Sequence, residues 1–248
     1  MAVVMLFMMV GKNVVYGANR YSVTTGNWNS VNTWAATSGG TPGVSFPVAG
    51  DVVYIESGDV ITVTANAGCT SVTFTGTGAT LTVNATFSLT VSGSVTLNSN
   101  AGASYSNSIA GAGTLGCASV ALGTNVTPTS DRTTTLTTSI ANMNISGNLA
   151  LYSNDNGNSQ NNAIFSFSTG TITVAGSLTS VNEDAAQTVC TFNMATGSQN
   201  GQLVLNGATP FSLGAGTNTI TLAGTATHVH YNHAGNQSVY PVAYRHLT

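Results

Sequence analysis

From Val52 onward, apolar residues alternate with Thr, Ser or Asn in short runs. A period of two places successive side chains on opposite faces of an extended chain, so each run predicts a half-buried β-strand. Phe87, Leu89 and Val91, for example, would share one face. Gly and Asn interrupt the runs, which predicts turns. The clearest runs are VITV at 60–63, SVTFTG at 71–76, TLTVN at 80–84, FSLTVSGSVTLN at 87–98, AIFSFSTGTITVAGSL at 163–178 and NTITLAG at 218–224.

One short pattern recurs within these runs: an apolar residue, a small residue, Gly, a small or amide residue, and an apolar residue. It occurs as VSGSV at 91–95, ISGNL at 145–149 and VAGSL at 174–178. The spacings of the central glycines are irregular, but they fit coils of about 20–30 residues, the range of solenoid repeats. Glycine in this slot suits a bend between two strands of one coil.

The composition narrows the class of protein. Charged residues make up 4% of the chain, against about 25% in an ordinary soluble domain. Four Lys plus Arg cannot form the basic patch of a nucleic-acid-binding protein. The near absence of Glu, Lys and Arg also disfavours helices, and 42% hydrophobic residues disfavour disorder. By contrast, 39 Thr, 26 Ser and 26 Asn suit stacked β-structure.

The charge deficit has a physical explanation in a parallel β-solenoid, where equivalent residues of successive coils stack about 4.8 Å apart. Two like charges at that distance repel by about 0.9 kcal/mol in bulk water and by about 3.5 kcal/mol at an effective dielectric constant near 20. Columns of Thr, Ser or Asn instead hydrogen-bond along the stack. We therefore predict an all-β fold, a parallel β-solenoid (β-helix). The alternative is a Thr-rich β-sandwich.

Three segments are predicted. Residues 1–17 contain the apolar run AVVMLFMMV at 2–10, and the small residues Gly17 and Ala18 stand at the end of this segment. The segment is interpreted as a signal peptide, the alternatives being a buried strand or a wrongly assigned start codon. Residues 18–50 contain Trp28 and Trp34 and are interpreted as an aromatic N-terminal cap. Residues 51–248 are the solenoid repeats, interpreted either as truncated at the C-terminus or as one unit whose open end a partner covers. No later run is long enough for a transmembrane helix.

The head of the chain resembles a known family. GNWNSVNTWAATSGG at 26–40 is followed by VSFPVAGDVVYIESGDVITVTANAGCTSVTFTGTGATLTV at 44–83, with two tryptophans and a Pro-x-x-Gly-Asp turn. This resembles the eight-glycine domain family and the N-terminal regions of secreted β-solenoid adhesins that use type IX secretion. The closing stretch VHYNHAGNQSVYPVAYRHLT is similar to a repeat unit of those proteins. The resemblance implies a bacterial surface protein. It also implies a link to carbohydrates, because the eight-glycine domain family occurs beside carbohydrate-active regions.

Candidate chemistry is sparse. Glu56 with Asp59, or Glu183 with Asp184, could form the carboxylate pair that a glycosidase needs. For Glu56 and Asp59, a position at a solvated turn is the preferred interpretation. Asp51 is interpreted as closing the Pro-Gly-Asp turn. His228, His230 and His233 could bind zinc or copper. The preferred interpretation is that these histidines occupy ladder positions, so no metal site is predicted.

Three further features have structural interpretations that we prefer to functional ones. Asn154-Asp155-Asn156-Gly157-Asn158 has one carboxylate, too few for a calcium loop, so it is interpreted as an Asx-rich turn. Trp28 and Trp34 could stack on sugars, but a place in the core of the cap is preferred. Cys69, Cys117 and Cys190 form no CxxC pair, and Cys190 is interpreted as a buried core thiol.

Together these observations predict an exported structural or adhesive cell-surface element, secreted or extracellular. It would be no enzyme and would need no cofactor. We expect self-association or contact with sister subunits, with end-to-end filaments as one form, and no nucleic-acid partner. The alternative is a glycan-binding or glycan-processing module of a larger secreted protein.

Overall fold

The computed structural model describes residues 17–98, 103–124, 126–155, 157–182, 188–194, 200–224 and 226–248, where nearly all of the regular secondary structure is β-strand. The predicted signal peptide lies outside these residues, apart from Gly17. No helix in the described part is long and apolar enough to cross a membrane. The first elements are β1 (Asn19–Ser22), β2 (Gly26–Asn27), a 3-10 turn (Val31–Thr33), β3 (Trp34–Ala35), β4 (Val52–Ile55), β5 (Val60–Val63), β6 (Ala67–Cys69), β7 (Ser71–Phe74) and β8 (Thr80–Val83).

The central and C-terminal strands complete the fold. Some are long because they continue around a bend without losing their pairing. They are β9 (Ser88–Leu97), β10 (Tyr105–Gly123), β11 (Arg132–Ile145), β12 (Leu149–Asp155), β13 (Gln160–Phe167), β14 (Thr171–Val174), β15 (Leu178–Asn182), β16 (Val189–Asn193), β17 (Gln202–Leu205), β18 (Phe211–Leu213), β19 (Thr217–Thr221), β20 (His228–Tyr231) and β21 (His246–Leu247).

These strands stack in three parallel columns. The first column runs through β1, β4, β7, β9, β10, β12, β15 and β18. The second runs through β2, β5, β8, β10, β11, β13, β16 and β19. The third runs through β6, β9, β10, β11, β14, β17, β20 and β21. The predicted parallel β-solenoid is confirmed, and the antiparallel sandwich is excluded.

Coil length varies along the stack. Val53 lies opposite Val72 near the N-terminal end, whereas Leu178 lies opposite Phe211 in a much longer coil. The extra residues extend the connections between strands, because the paired strands themselves keep the same register. The coils are therefore equivalent in their paired strands and unequal in their bends.

The period-two pattern places the apolar residues inside. One inner column consists of six aliphatic residues that are each exposed by 1% or less: Val53, Val72, Val95, Val120, Leu149 and Leu178. Burying a side chain of this size stabilises a fold by about 1.5–3 kcal/mol. The core is therefore continuous along the stack, and each coil closes the core of its neighbour.

The outer columns are neutral and hydrogen-bonded. Thr80, Ser108 and Thr137 occupy one such column, which continues through Ser166, Asn193 and Thr221. The hydroxyl oxygens of Thr80 and Ser108 lie 2.8 Å apart. Near another bend, the Asn232 side-chain amide donates to Asn206 Oδ1 at 3.2 Å. These contacts are the uncharged ladders that the composition predicts.

The glycine of the recurring pattern marks a close approach of two coils. Gly147 N donates to the Ala118 carbonyl oxygen at 2.8 Å, and a Cβ on Gly147 would lie 2.7 Å from that same oxygen. Gly93 has the same relation to the Thr70 carbonyl, with a hydrogen bond of 2.7 Å, and a Cβ on Gly93 would lie 2.8 Å from that oxygen. Real Cβ atoms do not approach a carbonyl this closely, so the slot requires glycine.

The N-terminal end of the stack is covered. β3 pairs antiparallel with β1, with Ser22 opposite Trp34, and thereby occupies the edge of β1 that faces away from β4. Trp28 and Trp34 are buried beneath this covering, with ring centroids 5.4 Å apart in an edge-to-face arrangement. The Trp34 indole N–H donates to the Trp28 carbonyl at 2.7 Å. The preferred interpretation, an aromatic cap with both tryptophans in its core, agrees with this packing.

The close approach at Gly147 predicts a selective cost of adding a methyl group. We expect Gly147→Ala to lower the free energy of unfolding by about 1–3 kcal/mol, because the Ala118 carbonyl must move and its hydrogen bond weakens. The matched control is Gly116→Ala in the neighbouring coil, where a Cβ would meet no heavy atom within 4 Å. Urea unfolding monitored by circular dichroism compares the two variants, and equal stabilities would contradict the close-approach argument.

A single charged residue in an outer column should be tolerated, whereas two like charges at paired positions of neighbouring coils should destabilise the fold. Ser108 and Thr137 are register partners. In a double-mutant cycle, Ser108→Glu with Thr137→Glu should show an unfavourable coupling of about 0.9 kcal/mol or more at low salt. Ser108→Glu with Thr137→Lys should show a coupling of the opposite sign.

The control cycle combines Ser108→Glu with Thr179→Glu, since Thr179 lies in a different column. Its coupling should be near zero. Urea unfolding supplies all of these free energies. A coupling indistinguishable from zero in the Glu–Glu pair at 108 and 137 would show that repulsion between coils is not what excludes charge.

Candidate functional site

A groove of about 500 Å³ follows the bend between the third and first columns. One wall consists of outward residues of the third column: Thr90, Gly116, Asn144 and Thr173, which are consecutive register partners. The floor is formed by the small residues that precede the bend: Ser92, Ala118, Ser146 and Ala175. The groove therefore crosses four neighbouring coils, a length of about 14 Å.

The recurring sequence pattern creates this groove. Three of the floor residues precede a bend glycine, and Ala118, which precedes Ser119, occupies the equivalent place in its coil. The stacked coils align these four small residues into one channel. Ser146 Oγ donates to the Cys117 carbonyl at 3.4 Å, which ties the floor of one coil to the coil before it. A repeat of small residues thus becomes a continuous concave surface.

The groove is neutral. Its described lining residues include no Asp, Glu, Lys, Arg or His. Cys117 is 5% exposed, and burial raises the pKa of its thiol to about 12, so the thiol stays protonated and is a weak nucleophile at neutral pH. Hydroxyl and amide groups are the polar groups that this surface offers to a ligand.

The other two cysteines are also buried and free. Burial raises the pKa of Cys69 to about 12, with a further contribution from nearby Asp51. Burial also raises the pKa of Cys190, whose thiol contacts Ser153 Oγ at 3.3 Å. The interpretation of Cys190 as a core thiol is confirmed.

The aspartate of the Pro-Gly-Asp turn has structural partners. Asp51 is buried and accepts hydrogen bonds from Ala18 N at 2.8 Å and Val48 N at 3.1 Å. It also pairs with Arg20 Nε at 3.6 Å. The interpretation that Asp51 closes its turn is confirmed.

Glu56 and Asp59 lie at a turn between β4 and β5, where Asp59 N donates to the Glu56 carbonyl at 3.2 Å. Asp59 Oδ2 accepts from Ser22 Oγ at 2.5 Å, and Ser22 Oγ in turn accepts from Glu56 N at 2.8 Å. This arrangement fastens the turn to the preceding coil. The preferred turn interpretation is confirmed, and the other candidate pair, Glu183 with Asp184, lies outside the described residues.

The Asn-rich segment forms the tight connection between β12 and β13, which pair antiparallel there. Gly157 N donates to Asp155 Oδ1 at 2.7 Å, which is an Asx-type turn. Asp155 and Gln160 are opposite one another in register. The Asx-turn interpretation is confirmed; Asn156 lies outside the described residues.

The structure does not group His228, His230 and His233 as their closeness in the sequence suggests. His228 stacks on His246, with ring centroids 4.4 Å apart, and lies 6.1 Å from the ring of His230. His233 makes a separate contact, with Nδ1 3.0 Å from the Asn206 carbonyl. The planes of these three rings are nearly parallel. The described residues contain no group of three or more His, Cys, Asp or Glu that could hold a metal ion.

His246 and the groove residues were missed by sequence reasoning. His246 is remote from His228 along the chain, and only the register of β20 with β21 brings them together. The groove had a signal in the sequence, because the small residue before the repeated glycine is visible in all three copies of the pattern. That signal was interpreted as a bend, and the surface created by stacking the bends was not foreseen.

Comparison with known proteins returned no match: no family model, no curated protein and no solved structure matches this chain. The resemblance to the eight-glycine domain family therefore stays a prediction.

Proposed function

We propose that this chain is a structural or adhesive element of a bacterial cell surface, in which a stiff β-solenoid presents neutral ladders to its surroundings. The observation that carries this proposal is the outer column from Thr80 to Thr221, which holds hydroxyl or amide residues at every coil. A continuous hydrogen-bonded stack of this kind resists bending, and its uncharged surface suits contact with glycans or with identical neighbours.

Export is part of the proposal. It is supported by the apolar run at 2–10, by the small residues at Gly17 and Ala18, and by the low content of charge. The chain would then act in a secreted or extracellular location.

Self-association is the second part. Because β3 occupies the free edge of β1, contact at the N-terminal end would use side chains of the cap rather than backbone pairing. Val44, Phe46 and Val48 alternate along the cap segment and are 40–51% exposed. An exposed apolar row of this kind supports contact between copies.

Electron microscopy and sedimentation velocity of the purified protein test this proposal. We expect elongated particles that associate as the concentration rises. Phe46→Ser should weaken the association at least about tenfold, because it removes the largest exposed side chain of the row. The control is Val126→Ser, a residue that is 60% exposed on a connection remote from the cap in sequence. Isolated particles at every concentration, without rod shape or contact between copies, would overturn the proposal.

A glycan-binding module is the second candidate function, and the groove is the observation that favours it. Its hydroxyl and amide groups at Thr90, Asn144 and Thr173 match the donors and acceptors of a neutral sugar chain, and its length of about 14 Å accommodates about three sugar rings. The described lining holds no carboxylate, so binding is favoured over glycan processing.

A glycan array of neutral and anionic oligosaccharides tests the second candidate. We expect binding of neutral chains, reduced at least about tenfold by Ala118→Leu, which fills the groove floor. The control is Ala110→Leu, the same change in the second column, away from the groove. If both variants keep the same binding, or if only anionic glycans bind, the groove is not a neutral-glycan site.

A further inference from the structure

The three stacked imidazoles at β20 and β21 form a cluster that the proposed function does not use. His228 is the register partner of His246, and the planes of their rings are within 13° of parallel. The His230 ring is within 10° of parallel with that of His228. The pairing of β20 with β21 thus stacks one histidine on another. The outer column from Thr80 to Thr221, by contrast, contains only neutral residues.

β21 is paired with β20 over a short length. Its pairing with β20 covers two register positions, His228 with His246 and Val229 with Leu247. Two backbone hydrogen bonds extend it: Thr248 N donates to the Val229 carbonyl at 3.0 Å, and Tyr231 N donates to the Thr248 carbonyl at 2.9 Å. Leu247 is 45% exposed. Leu247 therefore contributes less apolar burial to this strand pair than its fully buried register partner Val229 does.

The groups that face the stack offer no negative charge. On the β17 side, Gln202 and Val204 are the register partners of His228 and His230. On the β21 side, Thr248 Oγ1 lies 2.5 Å from His230 Nδ1. The sequence contains no Asp or Glu after Asp184.

The remaining titratable groups nearby are positive or neutral. Arg245 adjoins His246 in the sequence and is exposed. The phenol oxygens of Tyr231 and Tyr244 hydrogen-bond to each other at 2.6 Å. His233 contacts the Asn206 carbonyl. Protons added to the stack would therefore meet no compensating Asp or Glu side chain among these neighbours.

We propose that the β20–β21 pairing is an acid-sensitive latch, in which protonation of His228 and His246 separates β21 from β20. Histidine gains its proton between about pH 7 and pH 5.5. Two positive charges 4.4 Å apart oppose the pairing, and Coulomb's law in bulk water alone shifts the closed-to-open ratio about fivefold. Opening frees the Tyr231 N–H and the Val229 carbonyl, which together form an unpaired strand edge. The proposal rests on the fold and the histidine geometry, and is independent of the function proposed above.

Hydrogen exchange of the full chain measures the latch directly, because the Tyr231 amide donates to the Thr248 carbonyl across the pair. Its protection factor, corrected for the chemical exchange rate at each pH, should fall at least about fivefold between about pH 7.5 and pH 5. His246→Gln and His228→Gln should each abolish this fall, since Gln already occupies the same column at Gln202. Measuring both His246→Gln and His228→Gln keeps the prediction testable if one of these variants fails to fold.

The matched control is His233→Gln, which removes a histidine from the same segment but outside the stack and should keep the full pH dependence. Amides of β7 and β8 serve as the internal reference and should keep their protection at both pH values. Equal protection of Tyr231 at the two pH values would overturn the proposal. The same fall in His246→Gln, or an equal loss in β7 and β8, would also overturn it.

Discussion

Equivalent positions of successive coils meet in register at a spacing of about 4.8 Å. A residue type that occupies one position therefore contacts similar residues in the coils before and after it. Apolar residues gain from this repetition, as in the inner column from Val53 to Leu178. Hydroxyl residues gain hydrogen bonds, as between Thr80 and Ser108. Repeated charges repel, and a side chain at the bend would collide with the previous coil, as at Gly147.

The same spacing decides where chemistry is placed. Asp51 is at the start of the first full coil and Asp59 is at a turn, and both are held by specific partners instead of standing in the middle of a ladder. The groove is neutral because it is built from ladder positions and bend residues. The histidine stack at β20 and β21 places ionisable side chains against one another in the same way.

Sequence reasoning succeeded for features with a local cause and failed for features that need register. Trp28 and Trp34 lie in a turn-rich head and were correctly interpreted as cap residues, and Asp51 was correctly interpreted as closing its turn. Closeness in sequence groups His233 with His228 and His230, whereas strand pairing stacks His246 on His228. The groove was missed because its walls come from four coils, whose alignment is not visible in any one of them.

Alternation, propensity and backbone sterics act within a few residues, and for that reason the amino-acid order alone was enough to give the β-structure, the neutral outer surface and the glycine bends. Only the folded structure shows which residues of successive coils are register partners. The coil that joins Val53 to Val72 is short and the coil that joins Leu178 to Phe211 is long, so no fixed period gives the alignment. Register is fixed instead by the fit of each apolar column against the previous coil, and that fit depends on all three faces closing around one core.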